Sequence, residues 1–183
     1  MPNLYVALTH YPVVNKEGKV IASALTNLDL HDISRAAKTY GLKSFFVVTP
    51  LEDQQELAGK IISHWTDGYG SAYNPHRRGA LELIRIKASL SAVYDEIAAE
   101  ENNYPVIVAT CARKYPTSIS YEEFRVMLNN GRPYVLILGT AWGLAEEFIS
   151  RADYVLDPIT GHTDYNHLSV RSAAAIIFDR LLG

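Results

Sequence analysis

The chain has 183 residues, of which 48% are hydrophobic and 20% charged, and its formal net charge is −3. That balance excludes a disordered polypeptide and fits one globular domain, able to bury about two thirds of the surface its unfolded form exposes. The mildly acidic mean argues against bulk nucleic-acid binding except through a local basic face, and a single cysteine, Cys111, excludes an internal disulfide and suits a reducing, cytoplasmic compartment.

Runs rich in β-branched and aromatic residues alternate with segments of helical period, which is the pattern of a parallel sheet flanked by helices. The first strand is expected over residues 4–9, with no basic leader before it. Residues 10–25 form its exit loop, where Asn15-Lys16-Glu17-Gly18-Lys19 is a turn signal. In the helix that follows, Thr26 with Asp29 marks the start, Leu30, Ile33, Ala37 and Tyr40 share a face, and Gly41 suits a left-handed stop. Strand two is residues 44–49, and a second helix runs from Pro50 to about Trp65. Residues 66–79, with three glycines and Arg77-Arg78, read as a long irregular stretch and so as a candidate for substrate contact or a subunit interface. A strand over 81–86 precedes a helix over 89–101, and another strand is expected over 105–109. Ser120 and Glu123 form a capping box for a helix ending at Gly131. Strand 134–138, a short helix within 143–150 and strand 154–156 lead to a final helix over 168–182, with Val170, Ala173, Ala174, Ile177 and Leu181 at helical spacing. No apolar stretch approaches membrane-spanning length, so no membrane partner is expected.

Near the C-terminus two apolar strands break into glycine-containing loops, Leu136-Ile137-Leu138-Gly139-Thr140-Ala141-Trp142-Gly143-Leu144 and Val155-Leu156-Asp157-Pro158-Ile159-Thr160-Gly161-His162. A third stretch, Asp164-Tyr165-Asn166-His167-Leu168-Ser169-Val170, opens the final helix. Glycine lets a ligand approach the backbone, and polar groups at strand ends and helix starts can hold a flat heterocycle or an anion. Taken singly, each glycine would equally serve a plain turn. No Gly-x-x-x-x-Gly-Lys phosphate loop, Gly-x-Gly-x-x-Gly helix start or nucleophile elbow is present.

In this order, Gly139-Thr140-Ala141-Trp142-Gly143-Leu144, Pro158-Ile159-Thr160-Gly161 and Asn166-His167-Leu168-Ser169-Val170 resemble the three cofactor motifs of SPOUT-class RNA methyltransferases. With Thr9-His10-Tyr11-Pro12-Val13 and the segment from Thr26 to Arg35, the resemblance covers nearly the whole chain and is closest to a small bacterial family described as S-adenosylmethionine-dependent RNA methyltransferases. It implies one α/β domain over 1–183, a mostly parallel sheet flanked by helices, with a C-terminal deep trefoil knot and the cofactor site in about 105–183. The strand and helix alternation alone would give an unknotted doubly wound sheet. The resemblance further implies S-adenosylmethionine as cofactor, a transfer or ribosomal RNA substrate and a homodimer. Carried over residue by residue, it assigns cofactor binding to Thr110, Leu138, Gly139, Thr140, Gly143, Leu156, Ile159, Gly161, Asn166 and Leu168.

Methyl transfer from a sulfonium requires the acceptor to be positioned, desolvated and deprotonated, and requires no metal. Arg35 is the leading catalytic candidate, because ribose-methylating SPOUT enzymes place an arginine on the first helix six residues before a glycine, as Arg35 stands to Gly41. Asn27 departs from the shorter asparagine spacing of that pattern, which leaves phosphate binding or an ion pair with Asp32 as the other readings of Arg35. His10, His31 and Asp164 are candidate proton acceptors, while Asp164 would equally suit a helix cap. His162 and His167, near Asp157 and Asp164, lack a compact metal-ligand spacing, so no metal is expected. Arg77, Arg78, Arg113 and Lys114 are candidates for the positive face that RNA demands. The alternative to an enzyme is a non-catalytic S-adenosylmethionine-binding partner or sensor, in which Arg35, His10 and Asp164 point away from the sulfonium.

Overall fold

The computed structural model describes residues 2–183, and Met1 of the 1–183 reading lies outside them. In chain order β1 (Leu4–Thr9) leads to a hairpin of β2 (Val13–Val14) and β3 (Val20–Ile21), then α1 (Asn27–Thr39), β4 (Phe45–Val48) and α2 (Glu52–Thr66). Two short helices, α3 (Tyr69–Tyr73) and α4 (Pro75–Leu81), precede β5 (Ile84–Lys87), α5 (Leu90–Glu101) and β6 (Val106–Thr110). The last third holds β7 (Ser118–Ile119), α6 (Tyr121–Met127), β8 (Tyr134–Gly139), α7 (Glu146–Ile149), β9 (Tyr154–Leu156) and α8 (Val170–Leu182). Seven strands form one sheet in the order β5-β4-β1-β8-β6-β9-β7, every pairing parallel.

The apolar runs explain that sheet. Alternation along β1 sends Leu4, Val6 and Leu8 to one face and Tyr5 and Ala7 to the other; β8 does the same with Tyr134, Leu136 and Leu138 against Val135 and Ile137. Both faces are covered, as a parallel sheet requires. On the first lie α1 (Leu30, Ile33, Ala37), α2 (Ala58), α4 (Leu81), α6 (Phe124) and α8 (Ile177, Phe178, Leu181). On the second lie α5 (Leu90, Val93, Ile97) and α7 (Ile149).

Cap chemistry sets several boundaries. Ser120 accepts from the Glu123 N–H at 3.1 Å while Glu123 accepts from the Ser120 N–H at 2.7 Å, the reciprocal box expected from the sequence. Replacing Ser120 by alanine is expected to cost about 1 kcal/mol in urea-unfolding stability. Gly41 takes φ +72° beyond α1 and Gly131 φ +80° beyond the 3-10 turn Leu128–Asn130 that follows α6. Thr26 precedes α1 but does not cap its backbone; its hydroxyl donates to Asp29 at 2.5 Å. The final helix begins at Val170, because the Ser169 side chain accepts from the Ser172 N–H at 3.4 Å; the cap is Ser169 and not Asp164.

Residues 66–79 are mostly helical, in α3 and α4 with short breaks at 67–68 and 74, where the sequence suggested a loop. Two of the three glycines there serve close packing: a Cβ on Gly68 would stand 2.8 Å from the His64 carbonyl oxygen and one on Gly70 2.6 Å from the Trp65 ring. Asn74 accepts from the Arg77 N–H at 3.0 Å, and Pro75 occupies the first turn of α4. The hairpin β2–β3 and the short edge strand β7 also lie in stretches read as connections. For the hairpin the signal was present, since valines flank the Asn15 turn and Gly18 takes φ +75°.

Candidate active site

Parallel strands deliver their loops to one edge, and ligands in open α/β sheets bind outside the carboxyl ends. β1, β8, β6 and β9 end side by side, with Thr9 opposite Gly139 and Thr110 opposite Leu156. Beyond these ends lies a cavity of about 1140 Å³. Its wall contains Thr110, Leu138, Gly139, Thr140, Gly143, Leu156, Ile159, Asn166 and Leu168, so the three C-terminal segments meet in one place. Gly161 is exposed and stands outside that wall.

The loop after β8 is built by close approach. A Cβ on Gly139 would stand 2.8 Å from the Leu144 backbone nitrogen and 2.9 Å from its Cγ, so only glycine lets the chain fold back there. The Gly143 N–H closes the turn on the Thr140 carbonyl at 3.0 Å, with Ala141 at φ +53° and Gly143 at φ +107°. β2 then clasps the loop: Trp142 N–H donates to Val14 O at 3.1 Å, and Val14 N–H donates to Gly143 O at 3.0 Å. The third segment is tied across by Asn166, whose side-chain amide donates to Ala112 O at 2.9 Å. Losing that bond in Asn166→Ala is expected to weaken binding of the cavity's ligand about fivefold, read by calorimetry, with little change in melting temperature.

A chain of hydrogen bonds buttresses the loop from behind. Thr140 Oγ1 donates to Thr9 O at 3.1 Å, which leaves the Ser23 hydroxyl to donate to Thr140 at 2.5 Å and His10 Nδ1 to donate to Ser23 at 3.1 Å. Each hydroxyl has one hydrogen, so these three bonds fix the imidazole tautomer. His10 is fully buried and its Nε2 has no hydrogen-bond partner. Burial pushes its pKa below the ordinary histidine value, opposed by the charge of Asp29 and the nearby Ala24 carbonyl, and the ring is neutral. His10 therefore positions Thr140 through Ser23 and does not itself reach the cavity.

Much of the opposite wall is not marked in the sequence: Val14, Val20, Ser23, Thr26 and Asp29 from the amino-terminal part, and Cys111, Asp157 and Arg171 from the rest; Arg113, a candidate for the RNA face, also lines it. Arg171 pairs with Asp29 at 3.3 Å and with Asp32 at 3.6 Å, and Lys114 pairs with Asp157 at 3.2 Å. The second carboxylate oxygen of Asp157 is buried without a partner. Tyr115 and Arg113 both donate to Glu146, at 2.9 and 3.0 Å, on the rim. Burial, then the bond to Glu146, hold the Tyr115 phenol above its ordinary range.

Arg35 lines a different, smaller cavity of about 520 Å³, with Lys38, Asn74, His76 and Arg77. It makes no ion pair with Asp32 among the described residues. His31, on the same helix, stacks edge-on against Trp65 with ring centroids 5.5 Å apart. Burial and then the Arg77 charge lower its pKa. Asp164 is exposed, between the lining residues Ile159 and Asn166. Among the described residues no group of three or more His, Cys, Asp or Glu is placed to hold a metal, and no helix is long and apolar enough to cross a membrane.

Comparison with known proteins agrees with this geometry. Residues 3–183 match the family model described as SAM-dependent RNA methyltransferase. A tRNA (guanine-N(1)-)-methyltransferase of Oleidesulfovibrio alaskensis is 47% identical over 99% of this chain but 42% of its own length. An uncharacterized protein of Aquifex aeolicus is 37% identical over 98% of this chain and 88% of its own. The chain thus spans about two fifths of the first of these relatives and most of the second. Among solved structures, a probable methylase family protein of Haemophilus influenzae superposes with TM-score 0.64 at 18% identity, covering 98% of this chain and 65% of that one. The SpoU methyltransferase AviRb of Streptomyces viridochromogenes in complex with AdoMet gives TM-score 0.58 at 18% identity, covering 100% and 58%. The fold is that of the SpoU methyltransferases, and a family match running the length of the described chain places this protein in the SAM-dependent RNA methyltransferase family.

Proposed function

We propose that this chain transfers the methyl group of S-adenosylmethionine to a nucleotide of transfer RNA. The observation that carries the reading is the convergence of three C-terminal segments on one cavity at the carboxyl edge of the sheet. The cavity exceeds the range of about 300–1,000 Å³ usual for one small ligand, which leaves room for a cofactor and an acceptor base together. Transfer RNA enters from the relative in Oleidesulfovibrio alaskensis, and guanine N1 is named there for a protein of which this chain matches 42%.

The residues present fit the cofactor. Leu138, Leu156, Ile159 and Leu168 give apolar walls for a heterocycle, and the unpartnered, buried oxygen of Asp157 accepts a ligand hydroxyl or ammonium hydrogen. Asp29, Glu146 and Glu147 on the wall are each paired with an arginine, Arg171, Arg113 and Arg151, which leaves that oxygen of Asp157 as the acceptor for a cationic ligand. Bound there, the cofactor supplies an electrophilic methyl carbon beside a sulfonium. Thr110, Gly139, Thr140, Gly143 and Asn166 orient it, and His10 holds Thr140 in place through Ser23. Asp164, on the rim segment, is assigned to take the acceptor's proton. Gly161 shapes the turn before it, and Arg35 serves the RNA away from the reacting atoms.

The same reading takes residues 1–183 as one domain, with a deep trefoil knot in the part from about 105 onward. It is supported by loops 140–145 and 157–169 facing one cavity, with Asn166 bonded across to Ala112. A homodimer belongs to it as well: Val20, Trp142 and Leu168 line the cavity yet are 54%, 64% and 44% exposed, apolar surface that a second copy would cover. Incubating the chain with methyl-labelled S-adenosylmethionine and bulk transfer RNA, followed by nucleoside digestion, is expected to give one labelled nucleoside. Tight cofactor binding with no label in any RNA would favour the non-catalytic reading, and no cofactor binding would overturn both.

A further inference from the structure

The second cavity lies between α1 and α4, and its charge is of one sign. Arg35, Lys38, His76 and Arg77 line it with Thr39, Asn74 and small or cyclic residues, and no carboxylate does. Ten of the chain's 17 lysines and arginines make ion pairs among the described residues. Of the seven that make none, three are here. An overall charge of −3 does not oppose this patch, because the acids of α5, Glu96, Glu100 and Glu101, are engaged by Arg85, Lys87 and Lys43.

The patch is also preorganised. The Arg77 guanidinium lies over the Trp65 ring at 4.5 Å, and its Nε is buried without a hydrogen-bond partner. A stacked arginine keeps its terminal N–H groups for a ligand and loses little freedom on binding one. Immediately before Asn74, helix α3 displays two tyrosines, Tyr69 and Tyr73, whose rings stack with centroids 6.3 Å apart and an interplanar angle of 21°. They are 80% and 75% exposed, the two most exposed large hydrophobic side chains described. Exposed flat rings beside unpaired cations match what an unpaired nucleic-acid strand needs: a charged track for phosphates and a π-face for a base. A duplex, whose bases are already stacked, gains only the first.

We propose that this surface binds an unpaired RNA segment flanking the methylated nucleotide, with phosphates at Lys38, Arg35, Arg77 and His76 and a base stacked on the Tyr69–Tyr73 pair. The inference rests on the RNA methyltransferase reading. The cofactor cavity's Asp29 and the patch's Lys38 are on the same helix, about 14 Å apart along its axis, so one strand reaches both.

The test is fluorescence anisotropy with a labelled 12-nucleotide oligoadenylate titrated at 50–200 mM salt, alongside calorimetry with S-adenosylmethionine. Lys38→Ala is expected to weaken binding and reduce the slope of log affinity against log salt by about 0.7, one phosphate contact. The double variant Tyr69→Ala/Tyr73→Ala is expected to weaken binding about tenfold and leave the salt slope alone. All these side chains are exposed, so folding and cofactor affinity are expected to hold. As a charge-matched control, Arg132→Ala, in the loop at the amino end of β8, is expected to change neither. Oligonucleotide binding unaltered in both patch variants, or equal affinity for a duplex of the same length, would overturn the proposal even with cofactor binding intact. Loss of cofactor binding in the unmodified chain would instead overturn the enzyme reading.

Discussion

Gly139→Ala is expected to cut S-adenosylmethionine affinity about a hundredfold, because the added methyl group displaces a loop that lines the cavity. The added Cβ would stand 2.8 Å from the Leu144 nitrogen, which is backbone and already positioned by the strand-like bridge between Val13 and Leu144. Neither neighbour can swing aside, so loop 140–145 must move away from β8 and take Thr140 and Gly143 with it. Overpacking of this kind costs about 1–3 kcal/mol of stability, read as a lowered urea midpoint. The contrast is Gly161→Ala, where a Cβ meets nothing within 4 Å and φ is ordinary for any residue. That variant is expected to keep both its stability and cofactor affinity within about a factor of three. Equal loss at the two positions would mean that flexibility, and not close approach, explains the glycines.

His10→Asn is expected to destabilise the fold by about 2 kcal/mol at pH 7.5 and to flatten its acid response. In the unfolded chain a histidine titrates near pH 6.5, while burial holds His10 below that value. Between the two values the unfolded state binds a proton that the folded state does not. Stability from neutral His10 is therefore complete above about pH 6.5 and drains as pH falls, at up to about 1.4 kcal/mol per pH unit. Denaturation curves from pH 7.5 to 5 are expected to show this slope in the unmodified chain and a shallower one in His10→Asn. His31, lowered for the same reason, supplies what slope remains. A pH profile identical in both proteins would show that His10 is not the group that titrates.

Legibility from sequence followed from where the cause lies. Elements stabilised by their own residues were readable: β1 and β8 from apolar runs, α6 from the box of Ser120 and Glu123, and the stop after α1 from Gly41. The residues that the resemblance assigns to cofactor binding sit on a few contiguous loops, and all but Gly161 of them line the cavity. What sequence concealed depends on partners far along the chain. Gly68 and Gly70 look like loop glycines until Trp65 and His64 are seen against them. Likewise, Ser23 acquires meaning only from Thr140, 117 residues on, and Asp29 from Arg171, 142 residues on. Arg35 shows the converse, since a spacing of six residues to Gly41 says nothing of which cavity α1 turns it toward.

Residues 138–144, 156–159 and 166–170 face one cavity, and the proposed function makes that cavity the cofactor pocket. Amide chemical-shift mapping of the labelled chain on titration with S-adenosylhomocysteine tests it directly. The expected result is saturable shifts concentrated in those three segments and in residues 23–29, with β5 and the amino ends of the strands unmoved. Shifts confined to one segment, centred on the Arg35 cavity, or absent at saturating ligand would contradict it.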